Sequence, residues 1–275
     1  MRPFFQGQTA LWMEQHATRA LPPCLRVKRL GLAYHSRPVL ADISLDILPQ
    51  RITAIVGPSG TGKTSFLTCL NRLTDLIAGA TVTGQIYLGE LEIFSPAMDL
   101  LALRRRIGMI FQKPTPFPFS IKRNLEVPLR EHGLRDRRRI EQVMQEALEQ
   151  VGLWEEVKDR LHQSALSLSG GQQQRLCMAR AIMLAPEVLL LDEPCSALDP
   201  LSSSVVEDLI TRLRDRFSIV MVTHNLAQAR RVADTVALFW PVNGVGRLIE
   251  QSATEQFFED PQHEITRAYV RGYKG

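Results

Sequence analysis

One octapeptide constrains the fold of this chain more than any other stretch. GPSGTGKT, residues 57–64, fills every fixed position of the pattern G-x-x-x-x-G-K-[ST]. It follows RITAIVG (51–57), an apolar run that predicts a buried strand, and it leads into KTSFLTCLNRL (63–73), which predicts a helix. Glycines allow backbone N–H groups to surround phosphate oxygens, and a helix start adds partial positive charge. The sequence therefore predicts an α/β protein with a phosphate-binding loop.

The same loop predicts which ligand it binds. Lys63 is expected to reach the β- and γ-phosphates of a nucleotide, and Thr64 to place its hydroxyl on Mg²⁺. A glycine-rich turn that only caps a helix is the simpler alternative, but the flanking strand and helix are the ones that a nucleotide site requires. The other predicted nucleotide contacts in the loop are Gly57, Pro58, Ser59, Gly60, Thr61, Gly62 and Ser65.

Short β-rich runs alternate with helical patterns from Leu25 onward, which predicts α/β architecture with a largely parallel sheet. Three further runs, IGMIFQ (107–112), VLLLDE (188–193) and SIVMVTH (218–224), predict buried strands. VTGQIYLGELEI (82–93) alternates and contains glycine turns, so it predicts an antiparallel hairpin.

The stretch from 120 to about 165 is different, because it is helical and strongly charged. Its apolar residues recur with helical spacing and form one stripe. We therefore predict a small helical subdomain, about residues 113–167, inserted into the α/β core. The stripe consists of Ile140, Val143, Met144, Ala147, Leu148 and Val151.

Composition excludes several classes of protein. Of the 275 residues 45% are hydrophobic and 23% charged, as in an ordinary globular protein, and a formal charge of +4 argues only weakly for nucleic acid. No apolar run approaches the roughly 18 residues of a membrane span. The four cysteines show no metal or disulfide spacing, so we expect reduced thiols. Residues 1–24 lack periodicity and an apolar signal-peptide core, and we expect an extension that the fold does not need.

VLLLDE also predicts the second half of the phosphate site. Its apolar residues form a buried strand, and ligands of parallel sheets collect where such strands end. Asp192 is expected to hold the water shell of Mg²⁺, and Glu193 to position and polarise an attacking water. Two acids that merely end a strand before Pro194 are the alternative, which the phosphate loop makes less plausible.

The segment LSGGQQQR (168–175) narrows the prediction to one family. Ser169 and Gln172 have capping-box spacing, and the intervening Gly170 and Gly171 leave helix N–H groups bare for an anion. A well-capped helix is the simpler interpretation. The segment resembles the signature sequence of ATP-binding cassette (ABC) ATPases, and the resemblance implies that these four residues contact the γ-phosphate of ATP held by another subunit.

Other residues match the ABC pattern in order. The resemblance implies that Tyr34 stacks on adenine and that Gln112, at the end of a strand, contacts Mg²⁺ or the lytic water. It also implies that His224 touches the γ-phosphate and supports Glu193. SALDP (196–200) matches the loop that crosses the dimer interface, where Asp199 contributes to the nucleotide site.

Within the chain itself, Asp199 followed by Pro200 is a good N-cap and first residue of a helix. The resulting assignments are Lys63, Gln112, Glu193 and His224 for catalysis, and Thr64, Gln112 and Asp192 for the metal.

The resemblance covers residues 25–275 and implies the ABC ATPase fold: a core sheet with the phosphate loop, an antiparallel β subdomain and an inserted helical subdomain. LRRRIGMIFQKPTPFPFSI (103–121) and TEQFFEDPQHEITRAYVRG (254–272) look like one branch, the ATPase subunit of bacterial phosphate importers. The hairpin WPVNGVGRLIE (240–250) is variant and predicts no specific role.

That branch implies the rest of the prediction. The chain would hydrolyse ATP with Mg²⁺ as a head-to-tail homodimer, bound to two integral-membrane permease subunits at the cytoplasmic face of the inner membrane. A phosphate-binding protein would take part indirectly, and nucleic acid would not. The alternatives are an importer of another oxyanion or small solute, and a non-transport ABC ATPase. The latter needs a long coiled coil or a second cassette, and the sequence has neither.

The proline run, FQKPTPFPFS (111–120), is the most distinctive element of that resemblance. Its three prolines exclude a central strand or a helix interior and predict a stiff, extended surface segment with polyproline II character. Such a strut would carry a shift at Gln112 outward to the helical subdomain. For Phe117 and Phe119, packing beneath the helices and exposure at the surface both remain open.

Overall fold

The computed structural model describes residue 22 and residues 24–272. Within these residues the strands form one sheet in the order β5-β4-β1-β2-β10-β9-β3-β8-β7-β6. The strands are β1 (Leu25–Tyr34), β2 (Arg37–Ile47), β3 (Ile52–Val56), β4 (Ala80–Leu88), β5 (Leu91–Glu92), β6 (Ile107–Ile110), β7 (Val188–Asp192), β8 (Ser218–Val222), β9 (Thr235–Val242) and β10 (Val245–Ala253).

The α-helices of the described part follow the strands on both faces of the sheet or form the charged region between β6 and β7. They are α1 (Lys63–Leu70), α2 (Leu100–Arg106), α3 (Ile121–Glu131), α4 (Arg137–Gln150), α5 (Trp154–Val157), α6 (Gly170–Ile182), α7 (Pro200–Leu213), α8 (Leu226–Val232), α9 (Thr254–Glu259) and α10 (Glu264–Val270). Short 3₁₀ turns cover Leu73–Leu76, Lys158–Arg160 and Ala165–Ser167.

Strands β9, β3, β8, β7 and β6 are parallel neighbours and form the core. Every residue of β3, β7 and β8 is buried, because helices cover both faces, and this explains their unbroken apolar runs. In β3, Ala54 faces one hydrophobic cluster and Ile55 the other, which also holds Phe66 of α1. The predicted α/β architecture with a parallel sheet is confirmed.

Four antiparallel strands, β2, β1, β4 and β5, lie beyond β10 in the sheet. Strand β1 pairs with β2 and β4, and β4 turns into β5, so the hairpin predicted over 82–93 is confirmed. Strands β9 and β10 are joined by Asn243 and Gly244, both with positive φ, which is the conformation of a tight hairpin turn. The variant segment 240–250 therefore is a hairpin.

The charged region forms helices α3, α4 and α5. Along the predicted stripe of α4, Val143 is half-buried and the other members are buried. The cluster of apolar side chains continues from α4 through α6 to the parallel sheet. The limits of 113–167 for a separate subdomain therefore remain a prediction, and the predicted extension 1–24 lies almost entirely outside the described residues.

Several boundaries differ from the sequence prediction. Strands β3, β7 and β8 are one or two residues shorter than the predicted runs, so Glu193 and His224 follow their strands. Helix α1 ends at Leu70 rather than at 73, because Arg72 takes a left-handed conformation with φ of 57°. Strand β6 ends at Ile110, so Gln112 lies two residues beyond the strand instead of ending it.

The proline run has no regular secondary structure, as predicted. It is not a straight strut, however, because the Phe119 N–H donates to the Phe117 carbonyl at 2.6 Å and closes a three-residue turn at Pro118. Among the described helices, none is both long and apolar enough to cross a membrane. The four cysteines are free thiols.

Candidate nucleotide-binding site

The phosphate loop connects β3 to α1 in a shape that its glycines permit. Gly57, Gly60 and Gly62 have positive φ values of 141°, 79° and 84°. A Cβ at Gly57 would lie 2.0 Å from the carbonyl oxygen of Phe239 in β9, and one at Gly62 would lie 2.7 Å from the side chain of Leu40 in β2. These two glycines are therefore required by close packing, whereas Gly60 faces open space.

Lys63 is held against the loop that carries it. Its ammonium donates to the carbonyl oxygens of Gly57 at 2.8 Å and Pro58 at 2.7 Å, and the residue is largely buried. Burial lowers the pKa of Lys63, and the nearby carboxylates of Glu193 and Asp192 oppose that shift. The cation thus lies at the bottom of the loop with acceptors that a phosphate oxygen could replace.

The loop borders a depression of about 280 Å³. Thr61 braces the loop from within, since its hydroxyl donates to the Pro58 carbonyl at 2.9 Å. The depression is lined by Val39, Ser59, Gly60, Gly62, Lys63, Thr64, Ser65 and Glu193. The structure thereby brings six of the predicted loop contacts together with Glu193, whereas Gly57, Pro58 and Thr61 do not line the depression.

Thr64 and Asp192 face each other from α1 and β7. The Thr64 hydroxyl donates to a carboxylate oxygen of Asp192 at 2.9 Å. Burial raises the pKa of Asp192, while the Thr64 hydrogen bond and Lys63 oppose that shift. A buried carboxylate beside a hydroxyl fits Mg²⁺, which prefers oxygen ligands and would offset the cost of burying the charge.

The described residues contain no group of three or more His, Cys, Asp or Glu side chains arranged to hold a metal. A magnesium ion here would therefore complete its shell with nucleotide phosphate and water, as is usual for this ion. Among the described residues, Gln112 makes its side-chain hydrogen bond to Glu193, at 3.1 Å, and not to Thr64 or Asp192. Its role as a metal ligand stays a prediction.

Glu193 occupies a strained position at the end of β7. Its φ is +44°, unusual for a residue with a side chain and costing about 1–3 kcal/mol. Its N–H donates to the Val222 carbonyl at 2.9 Å, and its own carbonyl accepts from the N–H and the hydroxyl of Ser196. These bonds hold the backbone in this conformation and direct the side chain.

Each oxygen of the Glu193 carboxylate has one side-chain partner. One oxygen accepts from Gln112, which follows β6, and the other lies 3.1 Å from Nδ1 of His224, which follows β8. Three neighbouring parallel strands therefore place these side chains at one edge of the sheet. This is the carboxyl edge, where parallel sheets bind their ligands.

The signature segment lies at the N-terminus of α6. Ser169 and Gln172 form both hydrogen bonds of a capping box. Gly171 lies close to α7, since a Cβ there would be 2.8 Å from the hydroxyl of Ser202. Asp199 caps α7 by accepting from two backbone N–H groups at 3.0 Å, so the predicted capping role is confirmed.

Three sets of predicted contacts are not brought to the phosphate loop. Ser169–Gln172 and Asp199 lie together and do not line the depression. Tyr34 ends β1, beside a turn in which His35 and Ser36 have positive φ, and does not line it either. Gly170 has only Leu198 within 4 Å of the position where its Cβ would be.

Sequence reasoning missed several side chains around the site. Val39 lines the depression, and Gln228 lies buried behind His224. Asn225 and Gln228 have capping-box spacing, and Asn225 does cap α8, but the glutamine side chain turns inward. Asn124, which is buried, and Arg180, which is half-buried, fasten the proline run by hydrogen bonds that no sequence pattern indicated.

Fold and site together define the class: a nucleotide-binding domain with the ABC ATPase fold. Comparison with known proteins agrees. The family model described as "ABC transporter" matches residues 40–196, more than half of the chain. This chain belongs to the ABC transporter family.

The chain is 56% identical over 264 residues to "Phosphate import ATP-binding protein PstB 1" of Nitrosococcus oceani, a match that covers 96% of this chain and 95% of the relative. Among solved structures, cbiO1 from Clostridium perfringens, part of the ABC transporter complex cbiONQ, matches with a TM-score of 0.73. That match has 24% identity and covers 91% of this chain and 96% of the other, and it confirms the predicted fold.

Proposed function

We propose that this chain is the ATP-hydrolysing subunit of an ABC importer that takes up inorganic phosphate. One observation supports the ATPase assignment above all. Gln112 and His224 each contact one oxygen of the Glu193 carboxylate, which lies beside the loop that carries Lys63. A structural carboxylate would not need a strained backbone that aims it at the edge where phosphates bind.

The side chains divide the chemistry between them. The Lys63 ammonium balances the charge of the β- and γ-phosphates, and the backbone N–H groups at the start of α1 orient them. Each Glu193 oxygen has two lone pairs and uses one for Gln112 or His224, so one remains to accept a hydrogen bond from water. Water is thereby held and polarised for attack on the γ-phosphorus.

Mg²⁺, held by Thr64 and Asp192 with Gln112 nearby, would neutralise phosphate charge when bound. His224 keeps the Glu193 side chain directed at the nucleotide and reaches the γ-phosphate itself. Tyr34 supplies a face on which adenine stacks.

A second copy of the chain completes each ATP site. The bare N–H groups of Gly170 and Gly171 lie at a helix N-terminus that is separate from this chain's own phosphate loop. Leu166 and Leu201, on either side of that N-terminus in the chain, are 56% and 82% exposed, which suits a surface covered by a partner. The proposed homodimer is head to tail, with Asp199 at the crossing.

The proposed membrane partners are two permease subunits at the cytoplasmic face of the inner membrane. A groove of about 230 Å³ beside the proline run offers a surface for them, with apolar side chains such as Met109, Phe111 and Phe117. Arg104, Arg105, Lys113 and Arg180 also line it, so a segment with acidic groups would fit.

Phosphate as cargo is supported by the identity of 56% over nearly the whole chain to a phosphate import ATP-binding protein. Phosphate itself would not touch this chain, because partner proteins would select it. The test is uptake of radiolabelled phosphate by cells that lack the chromosomal copy and carry either the wild-type chain or Glu193→Gln. We expect uptake only with the wild-type chain. Wild-type-dependent uptake of another oxyanion, with phosphate uptake unchanged, would favour the alternative cargo.

A further inference from the structure

His224 is placed by its backbone rather than by side-chain packing. Its side chain is 60% exposed, and its polar contact is the one between Nδ1 and the Glu193 carboxylate. The residue lies in the turn between β8 and α8, where Thr223 precedes it and Asn225 follows it. Whatever fixes this turn therefore fixes the imidazole.

The hydroxyl of Thr223 ties both sides of that turn together. Thr223 is almost fully buried, and its N–H donates to the Ile55 carbonyl at 3.1 Å. Its hydroxyl accepts from the Asn225 N–H at 3.0 Å and donates to the side-chain oxygen of Gln228 at 2.7 Å. The backbone on both sides of His224 is thus anchored to one hydroxyl, whose proton is committed to Gln228.

The orientation of the Gln228 amide is fixed by a charge on another helix. Gln228 is 3% exposed, and its NH₂ donates to a carboxylate oxygen of Glu207 in α7 at 3.1 Å. A flipped amide would place its oxygen against that carboxylate. The negative charge therefore holds the amide oxygen toward Thr223.

Glu207 is held in place by Arg231. Glu207 is nearly buried, and the Arg231 guanidinium contacts both of its oxygens at 2.7 to 3.0 Å. Such two-point contacts are strong and directional. A cavity of about 470 Å³ lies beside these groups and is lined by Glu193 and His224 as well, so little else braces the turn from this side.

We propose that Gln228 is the positioning residue of His224, held in register by the Glu207–Arg231 pair. The inference rests on the proposed function, since it assumes that His224 takes part in ATP hydrolysis. Gln228 touches neither Glu193 nor the phosphate loop among its hydrogen-bond partners. It acts through the turn alone.

The decisive experiment is a double-mutant cycle on the ATPase activity of the purified full chain. Gln228→Ala is expected to lower kcat roughly ten- to hundredfold, as misplacement of a reacting group does, with KM for ATP within about twofold. In a His224→Ala background the same substitution should have no further effect, because the group that it positions is gone. Equal losses in both backgrounds would overturn the inference.

A charge-conserving swap guards against a simple folding defect. Gln228→Glu alone would set two carboxylates side by side and should lower kcat. Adding Glu207→Gln restores one amide and one carboxylate at the two places, although it removes the two-point contact with Arg231, so kcat should rise above that of Gln228→Glu without reaching the wild-type value. A double variant no better than Gln228→Glu would contradict the proposed pairing.

Neighbouring arginines give a matched control. Arg231 binds Glu207, whereas Arg230 of the same helix pairs with exposed Glu259. We expect Arg231→Ala to lower kcat and Arg230→Ala to leave it unchanged, and equal effects would count against the network.

An unchanged kcat in His224→Ala would refute the proposed role of His224 and this inference with it. A loss in His224→Ala but none in Gln228→Ala would refute the inference alone.

Discussion

Replacing Asn124 with alanine should release the proline run from the body of the protein. Asn124 is fully buried, and its oxygen accepts from the Phe117 N–H at 2.7 Å and from Arg180 at 3.3 Å. Its NH₂ group faces the carbonyl oxygens of Phe117, Phe119 and Ser120 at 3.0 to 3.4 Å. One side chain thus closes the end of the run onto α3 and α6.

The cost can be worked out bond by bond. The three carbonyls keep other partners, since they accept from the N–H groups of Phe119, Ala165 and Asn124 itself. Arg180 keeps its bond to the Thr115 carbonyl at 2.9 Å. The Phe117 N–H alone loses its partner. An unsatisfied donor costs about 1–3 kcal/mol, and the lost amide bonds add about 1 kcal/mol, so we expect a total of about 2–4 kcal/mol.

The assay is urea unfolding of Asn124→Ala followed by circular dichroism. Asn71→Ala is the matched control, because Asn71 is equally buried but makes only a 3.2 Å bond to the Leu73 N–H and a weak contact to the sulfur of Met109. If Asn124→Ala lowers the free energy of unfolding no more than Asn71→Ala does, Asn124 does not anchor the proline run.

Three further predictions follow from the site and the proline run. Gly57→Ala should destabilise the chain and abolish nucleotide binding, since its Cβ would lie 2.0 Å from the Phe239 carbonyl oxygen. Gly60→Ala meets no atom and bears only the strain of its φ of 79°, so it should still bind, and equal binding of a fluorescent ATP analogue by the two variants would contradict this. Asp192→Asn should raise the midpoint of urea unfolding at neutral pH without nucleotide, and a lower midpoint would contradict this. The reason is that burial raises the pKa of the Asp192 carboxyl, so its ionised form is disfavoured in the folded state. Alanine at all three prolines of the proline run should preserve ATPase activity of the purified chain but lower phosphate uptake per ATP, and unchanged uptake would leave the prolines as turn formers.

Much of this fold follows from the sequence because the parallel strands are buried on both faces. VLLLD and SIVMV are apolar throughout, which was sufficient to predict strands buried on both faces. The phosphate loop was equally predictable, since glycine is dictated at Gly57 by the backbone of Phe239 and at Gly62 by a positive φ and the side chain of Leu40. The left-handed conformations of Arg72 and Glu193 were not predictable, because tertiary contacts impose them on residues that do not favour them.

The proline run shows where composition is insufficient. Its prolines correctly excluded regular structure, but the run is held by the side chain of Asn124 in α3 and by Arg180, which is remote in sequence. Tertiary contacts also decide whether the two phenylalanines of the run pack beneath the helices or lie at the surface. Phe117 and Phe119 are 39% and 36% exposed, and the guanidinium groups of Arg180 and Arg123 lie 4.2 and 4.5 Å from their ring centres. They are surface residues covered by cations.

In the proposed mechanism, Glu193 positions the attacking water while other groups hold ATP. The most direct measurement is ATP binding and single-turnover hydrolysis by purified Glu193→Gln beside wild type. We expect binding to be preserved, because Lys63 and the loop N–H groups are unchanged, and hydrolysis to fall at least about a hundredfold. Hydrolysis at the wild-type rate would contradict this mechanism.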